Sequence, residues 1–126
     1  MTTKQILVID DEDDIREVAQ LSLEQVGGWQ VLTAGSGSEG LAKAEVAQPD
    51  AILLDVMMPD LDGPATLQRL QTNSITQHIP VIFLTAKVQS ADRHHLHELG
   101  VTGIIAKPFD PLNLSHQVAA VLGWSL

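Results

Sequence analysis

Five short apolar runs punctuate the chain, and four of them stop on a residue with chemistry. Gln5–Ile9 stops at Asp10-Asp11, Ala51–Leu54 at Asp55, Val81–Leu84 at Thr85, and about Val101–Ala106 at Lys107. Runs this short without alternation predict strands buried on both faces, each surfacing at its polar end. Trp29–Ala34 is more polar and suits the edge of a sheet.

The intervening segments carry helix signals. Asp13 and Asp14 oppose the positive end of a first helix dipole, Ile15, Val18, Ala19 and Val26 form its apolar face, and Gly27-Gly28 end it. Ser36 with Glu39 makes a capping box for a second helix that runs to about Gln48, before Pro49. Asp62 is the N-cap of a third, with Pro64 just inside and Leu67 and Leu70 turned inward. Ser90 caps a fourth with Leu96 and Leu99 inward, and Gly100 stops it. Asp110-Pro111 is the cap and first-turn pair of the last, which turns Leu114, Val118, Val121 and Leu122 inward. Strands and helices alternating through short connections predict an α/β fold, a parallel sheet covered on both faces. Five strands with one polar edge fit the flavodoxin-like, doubly wound order 2-1-3-4-5.

Composition narrows the picture without changing it. A chain of 126 residues, 44% apolar, fits one domain over residues 1–126. No apolar run approaches the roughly 20 residues of a membrane span and no signal-peptide pattern opens the chain, so a cytoplasmic location is expected. The absence of cysteine excludes a disulfide framework and thiol chemistry. A formal charge of −9 argues against nucleic acid as a direct partner and favours cations and basic protein surfaces. Acidity of this kind also serves solubility alone.

In the predicted fold, ligands bind outside the carboxyl ends of the strands, at the switch point between the first and third. That places Asp10, Asp11, Asp55, Thr85 and Lys107 at one rim. Clustered carboxylates repel, so their protonation shifts or a cation joins them. With only oxygen donors converging, a hard divalent ion is indicated, magnesium first, with manganese or calcium able to substitute. A carboxylate beside such an ion and a lysine can attack phosphorus, because the cations neutralise charge that would repel an anionic nucleophile. Asp55 is then the nucleophile, Asp10 and Asp11 hold the metal, Lys107 pairs with the phosphoryl group and Thr85 senses it. Taken singly, each has a plain explanation: dipole partners, a turn acid, a strand residue, a solvated charge. The constellation carries the signal.

Four segments, ILVIDDEDD at Ile6 to Asp14, LLDVMMPDLDG at Leu53 to Gly63, LTA at Leu84 to Ala86 and KPF at Lys107 to Phe109, together resemble the receiver domain of two-component response regulators, the family of the chemotaxis regulator. The resemblance spans Gln5 to Leu122. It implies phosphorylation of Asp55 by the phosphohistidine of a histidine kinase or phosphotransfer protein. It also implies magnesium held by Asp11 and Asp55 directly, by Asp10 through water and by the Met57 backbone carbonyl, and a cis Lys107-Pro108 bond. Such a receiver is a signalling switch rather than an enzyme acting on outside substrates. It assists its own phosphorylation and dephosphorylation, and hands the signal to a downstream protein through the fourth helix, fifth strand and fifth helix. With few residues after the last helix, the expectation is a stand-alone regulator.

Departures from the family pattern mark what is particular here. Ile104 stands three residues before Lys107, where the family commonly has Tyr or Phe, so an aromatic rotamer switch does not carry over. Met57 and Lys87 flank the phosphoryl position where rapidly self-hydrolysing receivers place a side chain that orients water, so a long-lived phosphorylated form is expected. His94, His95 and His97 read as a solvated helix surface whose titration near neutral pH could alter a partner-binding face. Two other classes stay open: an aspartate-nucleophile phosphatase, which would usually carry an acid at Met57, and a flavin module, disfavoured by 3% aromatics and by Asp10-Asp11 in the first loop.

Overall fold

A computed structural model describes residues 3–86 and 90–126; Lys87 and the side chain of Ser90 lie outside what is described. The elements alternate as β1 (Gln5–Ile9), α1 (Asp13–Gln25), β2 (Gln30–Ala34), α2 (Gly37–Ala47), β3 (Ala51–Asp55), α3 (Gly63–Gln71), β4 (Val81–Thr85), α4 (Ser90–Glu98), β5 (Gly103–Ala106) and α5 (Leu114–Leu122). The strands are all parallel in the order β2-β1-β3-β4-β5, as the apolar pattern implies, and the polar strand β2 is indeed an edge.

Period-two alternation along the buried strands builds two cores. Leu7, Ile9, Ile52, Leu54 and Phe83 face α2, α3 and α4, meeting Ala44, Leu67, Leu70 and Leu96. Ile6, Val8, Leu53, Ile82 and Leu84 face α1 and α5, meeting Ala19, Leu23, Leu114 and Val118. All five residues of β3 and of β4 are buried, which places the site on the most constrained strands.

Helix starts follow the cap chemistry closely, with small shifts. Asp62 accepts from the Ala65 amide at 2.9 Å, with Pro64 in the first turn of α3. Ser36 accepts from the Glu39 amide at 3.1 Å, but the Glu39 carboxylate takes the Gly35 amide at 2.7 Å, so the reciprocal half of the capping box sits one residue early.

Two expectations need correction. The face α1 turns inward is Ala19, Ser22 and Leu23, with Ile15 half-buried; Val18 and Val26 are exposed. Val18 lies at the edge of that stripe, about 100° of helix from Ala19 and on the side away from Leu23, and Val26 has passed the last turn. Asp110 does not open the last helix directly. Its carboxylate accepts from the Leu112 amide at 2.9 Å and holds a separate turn, whose Pro111 carbonyl is taken sideways by Ser22 Oγ, so regular helix begins at Leu114. Strand ends also shift: β2 starts after Trp29 and β5 at Gly103, although the Thr102 amide already bonds the Val81 carbonyl at 2.8 Å.

Candidate functional site

Strand register assembles the rim. Ile9 is level with Leu54, so Asp10, one step on, comes level with Asp55; Thr85 is level with Ala106, and Lys107 follows. Alternation then sorts the side chains. Asp10, Asp55 and Lys107 share the parity of Val8, Leu53 and Ile105, on the α1/α5 side, whereas Thr85 shares the parity of Phe83 on the other side. After Asp55 the chain folds back so tightly that a Cβ on Gly63 would stand 2.6 Å from the Asp55 carbonyl oxygen. The Gly63 amide closes this loop on the Val56 carbonyl at 2.9 Å.

Asp10, Asp11 and Asp55 each offer a carboxylate oxygen within 4.8 Å of the others. Asp10 is fully buried and Asp55 nearly so, while Asp11 is exposed at the mouth. The Lys107 ammonium lies 2.8 Å from Asp10 Oδ2 and donates to Asp55 Oδ1 at 3.0 Å. Glu12, exposed, reaches within 3.7 Å of the same ammonium. The Lys107-Pro108 bond is cis.

One cation cannot satisfy this set. Asp55 Oδ2 is buried with no donor among the described residues, and Asp10 Oδ2 has only the ammonium, at ion-pair rather than hydrogen-bond geometry. Burial raises the Asp55 carboxyl from its ordinary 3.8 to about 6; the Lys107 ammonium opposes the rise and the Asp10 charge adds to it. Burial alone would lower the Lys107 ammonium, but its bonds to Asp10 and Asp55 prevail and raise it above the ordinary value. An orphaned buried oxygen and three oxygen donors fit a hard divalent cation.

Four of the five expected side chains, from Asp10, Asp11, Asp55 and Lys107, therefore converge. Thr85 is buried at the end of β4 and instead lines an adjacent cavity of about 230 Å³, with Met57, Asp62, Asp92 and His95. His95 in that wall is not legible from helical spacing, since exposed helix histidines carry no periodic signal. His94 pairs with Glu98 at 3.0 Å, and His94, His95 and His97 are all exposed. Among the described residues the three aspartates are the metal-capable group. Arg16, one turn into α1 behind the acid pair, also reaches the rim, where it donates to the Asp10 carbonyl. Ile104 is half-buried and level with Phe83, packed against the α2/α3/α4 core.

Residues 6–119 match the family described as the response regulator receiver domain. The chain is 41% identical over 119 residues to the alkaline phosphatase synthesis transcriptional regulatory protein PhoP of Bacillus subtilis (strain 168), covering 94% of this chain and 48% of that one. It is 38% identical over 117 residues to the DNA-binding dual master transcriptional regulator RpaA of Synechocystis sp., covering 93% and 48%. The chain thus spans about half the length of the curated relatives it matches. Among solved structures, the chemotaxis response regulator CheY4 of Vibrio cholerae superposes with a TM-score of 0.88 at 32% identity, over 95% of this chain and 99% of that one.

Proposed function

The chain belongs to the response regulator receiver family of two-component signalling, and from that premise we propose that it takes a phosphoryl group onto Asp55 from a histidine kinase or phosphotransfer protein. The observation that carries this reading is the Asp55 carboxylate, buried at the strand end with one oxygen on Lys107 and the other without a donor.

In the transfer, an Asp55 oxygen attacks phosphorus; the new P–O bond forms as the P–N bond to the donor histidine breaks, and the imidazole leaves with the electron pair. Lys107, already bonded to that carboxylate, pairs with a phosphoryl oxygen and offsets the added charge. Asp10, Asp11, Asp55 and the Met57 carbonyl would hold magnesium, which would supply charge neutralisation at the phosphoryl oxygens when bound. In this reading Thr85, which lines the neighbouring cavity, is the hydroxyl that registers the added group. Because Ile104 provides no hydroxyl or ring edge, the signal passes through the loop after β4 and α4 to a downstream protein on the α4, β5 and α5 surface. No helix among the described residues is long and apolar enough to cross a membrane. The DNA-binding function in RpaA's name belongs to that longer protein; for this domain the proposal is protein contact, with no direct nucleic acid.

Acetyl phosphate with magnesium tests the assignment: wild type gains one phosphoryl group by mass and Asp55→Asn gains none. Phosphorylation of Asp55→Asn to the wild-type extent would overturn it. Met57, 65% exposed beside the site, is a poor orienter of water, so the phosphorylated form is long-lived. Met57→Asn is expected to shorten its lifetime, and a wild type that resets rapidly and is indifferent to this change would contradict that point.

A further inference from the structure

Of the three aspartates at the rim, Asp11 is the one with no side-chain tether. It is exposed, and it makes no hydrogen bond or ion pair among the described residues. Two buried carboxylates repel it toward solvent, yet its oxygen stays within 4.8 Å of theirs. The backbone must therefore hold it in place.

That backbone is clamped on several sides. The Asp10 amide donates to the Ala34 carbonyl at 3.1 Å, and the Glu12 amide donates to Asp10 Oδ1 at 2.9 Å. The Asp10 carbonyl is held as well, since Arg16 Nη1 donates to it at 2.7 Å from one turn into α1. The other end of the guanidinium, Nη2, pairs with Asp13 in the first turn. A Cβ at Gly35 would stand 3.3 Å from Arg16 Nη1, so the guanidinium packs closely on the junction after β2.

We propose that Arg16 is a positioning residue, which by fixing the Asp10 carbonyl sets the plane of the Asp10-Asp11 peptide and keeps the Asp11 carboxylate turned to the rim. A peptide group is planar, so holding its carbonyl also holds its N–H and the direction in which Asp11 leaves it. A guanidinium does this with two nitrogens at once, one on the carbonyl and one on Asp13; an ammonium has no such fork. The inference rests on the reading of this rim as a divalent-cation site.

Charge alone would act in the opposite direction, which makes the idea testable. A positive group near a cation site disfavours the cation, so its removal should strengthen magnesium binding if Arg16 matters only as a charge. Positioning requires the reverse. Magnesium titration of the full chain is expected to show Arg16→Met binding about tenfold more weakly than wild type, the scale on which groups that orient metal ligands act. Arg16→Lys, with charge retained and the fork lost, is expected between the two. In the metal-free protein, Arg16→Met is expected to speed hydrogen exchange at the Glu12 amide, while a melt in chelator records any general loss of stability separately. Arg16→Met binding magnesium as tightly as wild type, or more tightly, overturns the proposal. Should Arg16→Met fail to fold, Arg16→Lys decides, and wild-type affinity in it is equally fatal. A wild type that binds no magnesium would instead sink the underlying reading of the rim.

Discussion

At the carboxyl ends of the strands two buried carboxylates share one ammonium, and a carboxylate oxygen is left without a donor. At the amino ends, where α5 returns, Trp29 and Trp124 meet edge to face with centroids 5.3 Å apart, and the Lys4 ammonium lies 5.1 Å from the Trp124 ring centre. Both ends join a cation to residues from distant parts of the chain. One satisfies its groups and the other does not. Packed aromatics and a cation over a ring face stabilise wherever they occur, whereas like charges gathered in a low-dielectric rim are tolerated only because other packing outweighs them. The unsatisfied end is the one poised to take a ligand.

The largest effect expected from breaking this contrast is at Lys107. Without its ammonium Asp10 and Asp55 face each other uncompensated, and the metal-free protein should lose about 4 kcal/mol at pH 7, the scale for removing one partner of a buried pair. Urea unfolding measures this, and added magnesium should recover part of the loss.

Asp55→Asn should act in the other direction. Because the folded Asp55 carboxyl lies at about 6 against an ordinary 3.8, the folded state binds more protons between those values than the unfolded one. Stability from this group is therefore present at pH 4 and lost as pH rises through about 6. At ~1.4 kcal/mol for each pH unit the gap makes Asp55→Asn more stable than wild type by up to about 3 kcal/mol at pH 7 without metal. Unfolding free energies from pH 4 to 8 should show a slope in wild type that is flattened in the variant.

Smaller still is the effect at the satisfied end. Trp124→Ala should cost about 2 kcal/mol and leave acceptance of phosphate from acetyl phosphate unchanged. The sequence has two tryptophans, both in this pair, so magnesium should leave indole emission unaltered. A strong change would mean that the two ends are coupled.

Much of the carboxyl-end rim is legible in the sequence, for a specific reason. An apolar run ending on a single polar residue reports both a buried strand and what it presents, so Asp10, Asp55 and Lys107 are visible one strand at a time, and parallel alternation brings them to one rim. What cannot be read is side-chain parity relative to the sheet faces. Thr85 terminates its strand as the acids do, but with Phe83 it belongs to the opposite face and lines the next cavity. The α1 stripe is misplaced because Val18 and Ala19 are adjacent and apolarity does not say which of them the sheet will cover; the polar Ser22 sits in the true stripe, bonded to the Pro111 carbonyl. Arg16 illustrates the same limit, since its partner is a backbone carbonyl and main-chain acceptors leave no mark in a sequence.

Thermal unfolding at pH 7 with and without saturating magnesium bears most directly on a rim of carboxylates left short of positive charge. Wild type should be stabilised by about 2.7 kcal/mol at a hundredfold excess over the dissociation constant, and Asp55→Asn should lose most of that gain. An unchanged wild-type melt, or an equal gain in Asp55→Asn, would contradict the account.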